Sequence, residues 1–217
     1  MTDWPFTPLR QMAYGCILAD PPWTYETRSV NGQSKSPSQH YKVMGLDEIQ
    51  SLPVHLLAAD DCMLIMWTTA PHLEQGIETM RAWGFDYVTA GAWAKQTSTG
   101  TKLAFGTGYI YRSAAEFYLV GKIGNPRSAA KNIRNLILAP VREHSRKPDE
   151  MHEQLERMFP NVRRCELFGR QSRPGWAVWG NETEKFNDHT GVGVPRRLAV
   201  ASPQHDRSGD RRHTHGD

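Results

Sequence analysis

Four consecutive residues, Asp20-Pro21-Pro22-Trp23, combine a carboxylate, two carbonyls on rigid rings and a flat aromatic surface. At ordinary residue frequencies this tetrapeptide is expected by chance in roughly fewer than one in a thousand chains of this length. Proline locks φ and lacks an amide hydrogen, so the Pro21 carbonyl has a fixed direction and the pair continues neither a helix nor a ladder. A carboxylate so placed can serve as metal ligand, general base or hydrogen-bond acceptor. A metal needs further oxygen or nitrogen side chains close by, and Pro21, Pro22 and Trp23 supply none. Acceptors beside the Trp23 and Tyr25 rings suit an exocyclic amino group on a planar base. The plainer alternative, a strand, a Pro-Pro turn and a packing tryptophan, accounts for the prolines but not for the carboxylate before them.

Ile17-Leu18-Ala19 reads as a buried strand that delivers Asp20 to its carboxyl end, the edge where open α/β sheets bind ligands. Phe168-Gly169-Arg170 follows another strand-like run, and its glycine permits close backbone approach. Parallel pairing of the two strands would bring both turns to one sheet edge, where two ligands can meet. Residues 24–40 are a long polar loop placed to fold over a substrate, closed by His40 and Tyr41. Residues 96–113 are polar and glycine-rich. Gly106-Thr107-Gly108 is too short for a dinucleotide fingerprint and no helix pattern follows it. Tyr109, Tyr111 and Arg112 in this segment suit base stacking and phosphate pairing.

Apolar runs at 62–67, 87–93, 116–121, 135–139 and 163–168 are expected strands, with 176–180 as a hairpin partner. A short helical pattern starts at Leu46. Leu73, Ile77, Met80 and Trp83 recur at helical spacing, with Gly84 as the stop. Pro148-Asp149-Glu150 opens a helix with Met151, Leu155, Met158 and Phe159 on one face, ended by Pro160. Strands alternating with helices predict an α/β doubly wound sheet.

The 217 residues fit one domain, expected at 1–186, with a polar Gly-, Arg- and His-rich segment at 187–217 expected to be disordered,. His213 and His215 in that segment are read as solvated rather than metal-binding. No run of 18 apolar residues occurs, and Met1-Thr2-Asp3-Trp4-Pro5 lacks the features of a signal peptide, so the cytoplasm is the expected compartment. Cys16, Cys62 and Cys165 sit in separate apolar runs and are expected as reduced core residues. The formal charge is +3. Ten basic residues from Lys95 to Lys147 stand against Glu116 and Glu143 alone, which suits a polyanionic partner or a solvated, loop-rich face,.

Asp20-Pro21-Pro22-Trp23, Leu64-Ile65-Met66-Trp67, Ala92-Trp93-Ala94-Lys95, Ser145 through Glu150, Glu166 through Arg170, and Trp179-Gly180-Asn181 together resemble, in order, the MT-A-type adenine-N6 methyltransferases. The resemblance covers roughly residues 15–183. It implies a Rossmann-like fold, mostly parallel with helices on both faces and a permuted motif order, and S-adenosylmethionine as methyl donor. By that resemblance Asp20 and the Pro21 carbonyl hold the target amino group, with Pro22 beside them and Trp23 against the base. Lys147, Phe168, Gly169, Arg170 and Asn181 become donor contacts, with Asp20, Pro22 and Ser172. Tyr25, Tyr41, Lys95, Tyr109 and Arg112 are the expected substrate contacts. The family's mRNA enzymes carry histidine and asparagine where this chain has Ser172 and Arg173.

The implied reaction is direct displacement, with no covalent enzyme intermediate and no metal. DNA is favoured over RNA, because this sequence lacks the zinc-finger or long N-terminal regions of the eukaryotic RNA enzymes. A catalytically silent nucleic-acid-binding partner with the same fold is the alternative from another class, and a homodimer or partner subunit is plausible by analogy. A base in a duplex must be flipped to reach such a site.

Overall fold

The structure is a computed structural model and describes residues 4–23, 44–108, 110–143 and 145–187. Strands β1 (Tyr14–Ala19), β2 (Ala58–Thr68), β3 (Asp86–Gln96), β4 (Ala115–Ile123), β5 (Leu136–Pro140), β6 (Arg164–Leu167) and β7 (Trp176–Trp179) form one sheet in the order β5-β3-β4-β2-β1-β6-β7. Helices α1 (Leu46–Gln50), α2 (Leu73–Ala82) and α3 (Asp149–Met158) pack on it. No helix among the described residues is long and apolar enough to cross a membrane.

All six residues of β1 are buried, as a strand covered on both faces requires,. Period-two alternation sends Ile17 and Ala19 into one apolar cluster, with Ile49 of α1 and Met80 of α2, and Cys16 and Leu18 into another, with Met151 and Leu155 of α3,. The helices therefore cover both faces, and a Rossmann-like α/β architecture follows. Phe6 and Leu9, ahead of the first strand, are also core residues, and the Phe6 ring meets Trp179 edge-on at 5.1 Å.

Pairing is parallel for β1 with β2 and with β6, for β6 with β7 and for β3 with β5. The exception is β4, which runs antiparallel between β2 and β3. Its reversal places the start of β4, rather than its end, on the same edge as the carboxyl ends of the other six strands. The expected hairpin partner, β7, is instead parallel to β6. Its short connection turns at both ends in left-handed conformations, Phe168 with φ 60° and Gly175 with φ 80°. The Trp176 indole and the Arg173 guanidinium both donate to Glu156 of α3, which holds that connection against the helix. Gly84 stops α2 at φ 83°, as its position after the apolar periodicity predicts,.

Pro148 stands immediately before α3 rather than inside it, and Met151, Leu155 and Phe159 are buried. Cys16, Cys62 and Cys165 are buried and unpaired, and burial pushes the Cys16 thiol up to about 12. A thiol so raised is inert near neutral pH.

Gly91 of β3 lies opposite Tyr118 of β4, and a methyl group there would meet the Tyr118 ring and stand 2.5 Å from the Asn135 carbonyl oxygen. We predict that Gly91→Ala destabilises the protein by about 1–3 kcal/mol through overpacking. A lower urea midpoint with an unchanged denaturant slope is the expected reading.

Candidate active site

Asp20 leaves the end of β1 with its backbone N–H donated to the Leu167 carbonyl at the end of β6, 3.2 Å away. The parallel β1–β6 pair thus ends with both of its turns on one edge, as the two strand-like runs predict. The Trp23 amide donates to the Pro21 carbonyl at 2.9 Å, closing a tight turn and leaving that carbonyl one lone pair,. The Trp23 ring is buried, donates its indole N–H to the Trp67 carbonyl at 3.0 Å and stacks on His72 at 5.9 Å. Trp23 therefore clamps the Asp-Pro-Pro turn onto the end of β2, and it is not the open stacking surface that the sequence suggests.

Around Asp20 runs a continuous string of charges. Lys147, in the loop between β5 and α3, reaches the Asp20 carboxylate at 2.8 Å and Glu116 at 2.9 Å. Arg170, after β6, binds Asp20 Oδ2 at 3.0 Å, an oxygen that Lys147 also reaches at 3.0 Å, and donates to the Ser145 carbonyl at 3.1 Å. Lys95, near the end of β3, closes the far end on Glu116 at 2.8 Å. The order Arg170, Asp20, Lys147, Glu116, Lys95 alternates in sign throughout. Except for Lys95, each of these side chains is no more than 15% exposed, so the pairs are only weakly screened,.

Burial alone would lower the pKa of Lys147, but the Asp20 and Glu116 carboxylates outweigh it and hold the ammonium above the usual lysine range. Burial likewise opposes ionisation of Glu116, yet Lys147 and Lys95 outweigh it and hold that carboxyl below its ordinary value. Glu116 is the residue the sequence reading missed. The available signal was a carboxylate opening an otherwise apolar strand. Its significance depended on the direction of β4.

A cleft beside this string is lined by Asp20, Arg146, Lys147, His152, Phe168 and Arg170, among others. Two backbone positions next to it are left-handed without being glycine, Ser145 with φ 64° and Phe168 with φ 60°. Such conformations cost about 1–3 kcal/mol and persist where the surroundings demand them. Here they aim the Lys147 and Arg170 segments at Asp20. Arg146 Nε and His152 Nδ1 are buried without a hydrogen-bond partner among the described residues.

The other expected contacts divide. Gly169 permits a close approach, but to β7: its N–H donates to the Trp179 carbonyl, and a methyl group on Gly180 would stand 2.5 Å from the Gly169 oxygen. Pro22, Ser172 and Asn181 do not line the cleft, and the Ser172 amide donates to the Asn187 side chain. Arg173 is held by Glu156 at 2.9 Å. Arg112 is exposed on the segment between β3 and β4. Tyr25, Tyr41 and Tyr109 lie outside the described residues.

A family model described as MT-A70 matches residues 14–182. The chain belongs to the MT-A70 family. It is 35% identical over 196 residues to the Type II methyltransferase M.MunI of Mycoplasma sp, covering 82% of this chain and 81% of that protein. To the N(6)-adenosine-methyltransferase MT-A70-like of Arabidopsis thaliana it is 34% identical over 172 residues, 78% of this chain and 24% of that protein. To the N(6)-adenosine-methyltransferase catalytic subunit METTL3 of Homo sapiens it is 31% identical over 175 residues, 79% of this chain and 28% of that protein. The chain thus spans about a quarter of the length of these last two relatives. The MT-A70 match contains every member of the charge string.

Because the folded pKa of Glu116 is depressed, its pairing stabilises the protein above the ordinary glutamate value of 4.5 and is lost as pH falls through the lower folded value,. We predict that Glu116→Gln costs about 1–3 kcal/mol at neutral pH, by leaving Lys147 and Lys95 under-paired. Urea denaturation of both proteins over a series of acid pH values should show the gap closing below 4.5. A gap independent of pH would contradict the pairing.

Proposed function

We propose that the protein is an adenine-N6 methyltransferase that moves a methyl group from S-adenosylmethionine to nucleic acid, with DNA the favoured polymer. The observation that carries the reading is the Asp20 carboxylate, held by Lys147 and Arg170 at the edge shared by β1 and β6. The 35% identity to the Type II methyltransferase M.MunI supports DNA. The reading places the catalytic domain at 1–186, the reaction in the cytoplasm, and a second copy or partner subunit within reach.

The cleft suits this donor. Cationic Arg146, Lys147 and Arg170 fit the carboxylate of its amino-acid end, Asp20 fits the ammonium, and the orphaned Arg146 Nε and His152 Nδ1 are available to bind polar groups,. Phe168 supplies apolar surface beside them. When bound, S-adenosylmethionine supplies an electrophilic methyl group on a sulfonium, which leaves as a neutral thioether.

An adenine amino nitrogen is a poor nucleophile because its lone pair is delocalised into the ring. Asp20 accepts one of its N–H bonds, and the remaining lone pair of the Pro21 carbonyl accepts the other. That pairing favours a tetrahedral nitrogen with its lone pair directed out of the base plane, toward the donor. Lys147 and Arg170 hold the carboxylate oxygens, so little reorganisation accompanies the reaction. The nitrogen loses one proton as the N–C bond forms, and Asp20 passes it to water. Trp23 serves by fixing the turn.

Incubation with methyl-labelled S-adenosylmethionine and either DNA or RNA, followed by digestion to nucleosides, is expected to place label in N6-methyladenine, with more from DNA. Label in N4-methylcytosine would refute the adenine assignment. Asp20→Ala and Asp20→Asn are each expected to lower turnover by about 100-fold or more while circular dichroism stays unchanged. A near-normal rate in both would remove Asp20 from the mechanism. A protein that retains nucleic-acid affinity but binds no S-adenosylmethionine by calorimetry is instead the silent partner.

A further inference from the structure

Between β3 and β4 the chain builds a segment that carries several large exposed apolar side chains. Leu103, Phe105, Ile110 and Tyr111 are 60%, 76%, 78% and 86% exposed. Singly exposed apolar side chains are ordinary, but four within nine positions form a patch that calls for a partner. The segment is hydrogen-bonded rather than loose. Ala104 donates to the Lys95 carbonyl at 2.7 Å, Thr97 to the Lys102 carbonyl at 2.8 Å and Gly106 to the Ser113 carbonyl at 2.8 Å. A methyl group at Gly106 would stand 2.7 Å from the Ser113 oxygen, and one at Gly108 would collide with the Tyr111 carbonyl, so both glycines are needed to fold the ribbon back.

Charge narrows the partner. Residues 97–114 contain Lys102 and Arg112 and no acid. The Arg112 guanidinium lies over the Phe105 ring, 4.6 Å from its centroid, placing a cation against an aromatic face at the surface,. The root of the projection is the active-site edge itself, because Lys95 and Glu116, which flank it in sequence, are the last pair of the charge string.

We propose that residues 97–114 are a stacking finger for single-stranded nucleic acid, in which Phe105 and Tyr111 stack on unpaired bases flanking the target adenine and Arg112 pairs with the phosphate between them. The proposal rests on the nucleic-acid reading of the site. It adds the form of the substrate: the flanking bases must be out of a duplex for aromatic faces to reach them, so the protein prefers single strands or locally opened ones. Stacking is tolerant of base identity and phosphate pairing is blind to it, so this contact contributes affinity with little sequence selection. A protein surface, including a second copy of this chain, is the competing occupant. The absence of acids and the presence of two cations favour the polyanion.

The test uses the full-length protein and synthetic DNA strands carrying one adenine, with 2-aminopurine beside it as a stacking reporter. Wild-type protein is expected to bind the single strand more tightly than its duplex and to quench the reporter. Phe105→Ala and Tyr111→Ala should each weaken single-strand binding by about tenfold and relieve the quenching, while Tyr111→Phe retains both. Arg112→Ala should reduce the slope of log affinity against log salt by about 1. Calorimetric affinity for S-adenosylmethionine and urea midpoints of the variants should match wild type, since these side chains are exposed. Quenching without any methyl transfer would sustain the finger and refute the catalytic reading. The finger is overturned if the alanine variants bind the strand like wild type, if duplex is preferred, or if the substitutions dissolve a dimer in sedimentation without changing affinity for DNA.

Discussion

The contact on which the rest of the site depends is the Lys147 ammonium bridging two carboxylates, Asp20 and Glu116, at 2.8 and 2.9 Å. Each carboxylate carries a second cation, Arg170 on one and Lys95 on the other. Partly buried ion pairs of this kind are weak arguments for stability, because desolvation offsets much of their attraction. What they do supply is position. Lys147 is 127 residues from Asp20 in sequence, and the pairing closes three loops onto one sheet edge. The left-handed backbones at Ser145 and Phe168 are consistent with a local conformation set by that closure rather than by residue preference,.

The same edge has two functional ends. On the β1–β6 side the cleft presents cations and, among the described residues, unpartnered buried polar atoms, chemistry suited to an amino acid bearing both charges. On the β3–β4 side the Lys95–Glu116 pair leads out to a projection that is apolar, cationic and free of acids. Asp20 is thus common to the cleft on one side and to the charge string that leads toward the projection on the other. Membership of the MT-A70 family gives this division a chemical sense, since methyl transfer needs donor and acceptor to meet at one atom.

Trp23 shows how a motif can fix a residue's position without showing what its side chain packs on. Its place after two prolines was evident, and a flat ring beside an acceptor suggested stacking on a base. In the folded chain that ring is buried on His72 and bonded to the Trp67 carbonyl. Exposed aromatic rings are found instead at Phe105 and Tyr111, the second of them in a segment whose residues had suggested stacking.

Sequence alone determined the elements and the edge. The buried strand ending in Asp20, the helix after Pro148, the glycine stop of α2 and the glycine-bearing turn after β6 are each dictated by local patterns: hydrophobic period, proline chemistry and capping. Parallel pairing of the two strands would then bring Asp20 beside Phe168 to Arg170, and the structure supplies that pairing. The local patterns did not reveal Glu116. Strand direction is a property of pairing with neighbours far along the chain, and β4 reverses between β2 and β3, which brings its first residues to the edge where the other strands finish. Only the tertiary structure could decide that, and with it that the lysine holding the Asp20 carboxylate is shared with a glutamate from a reversed strand.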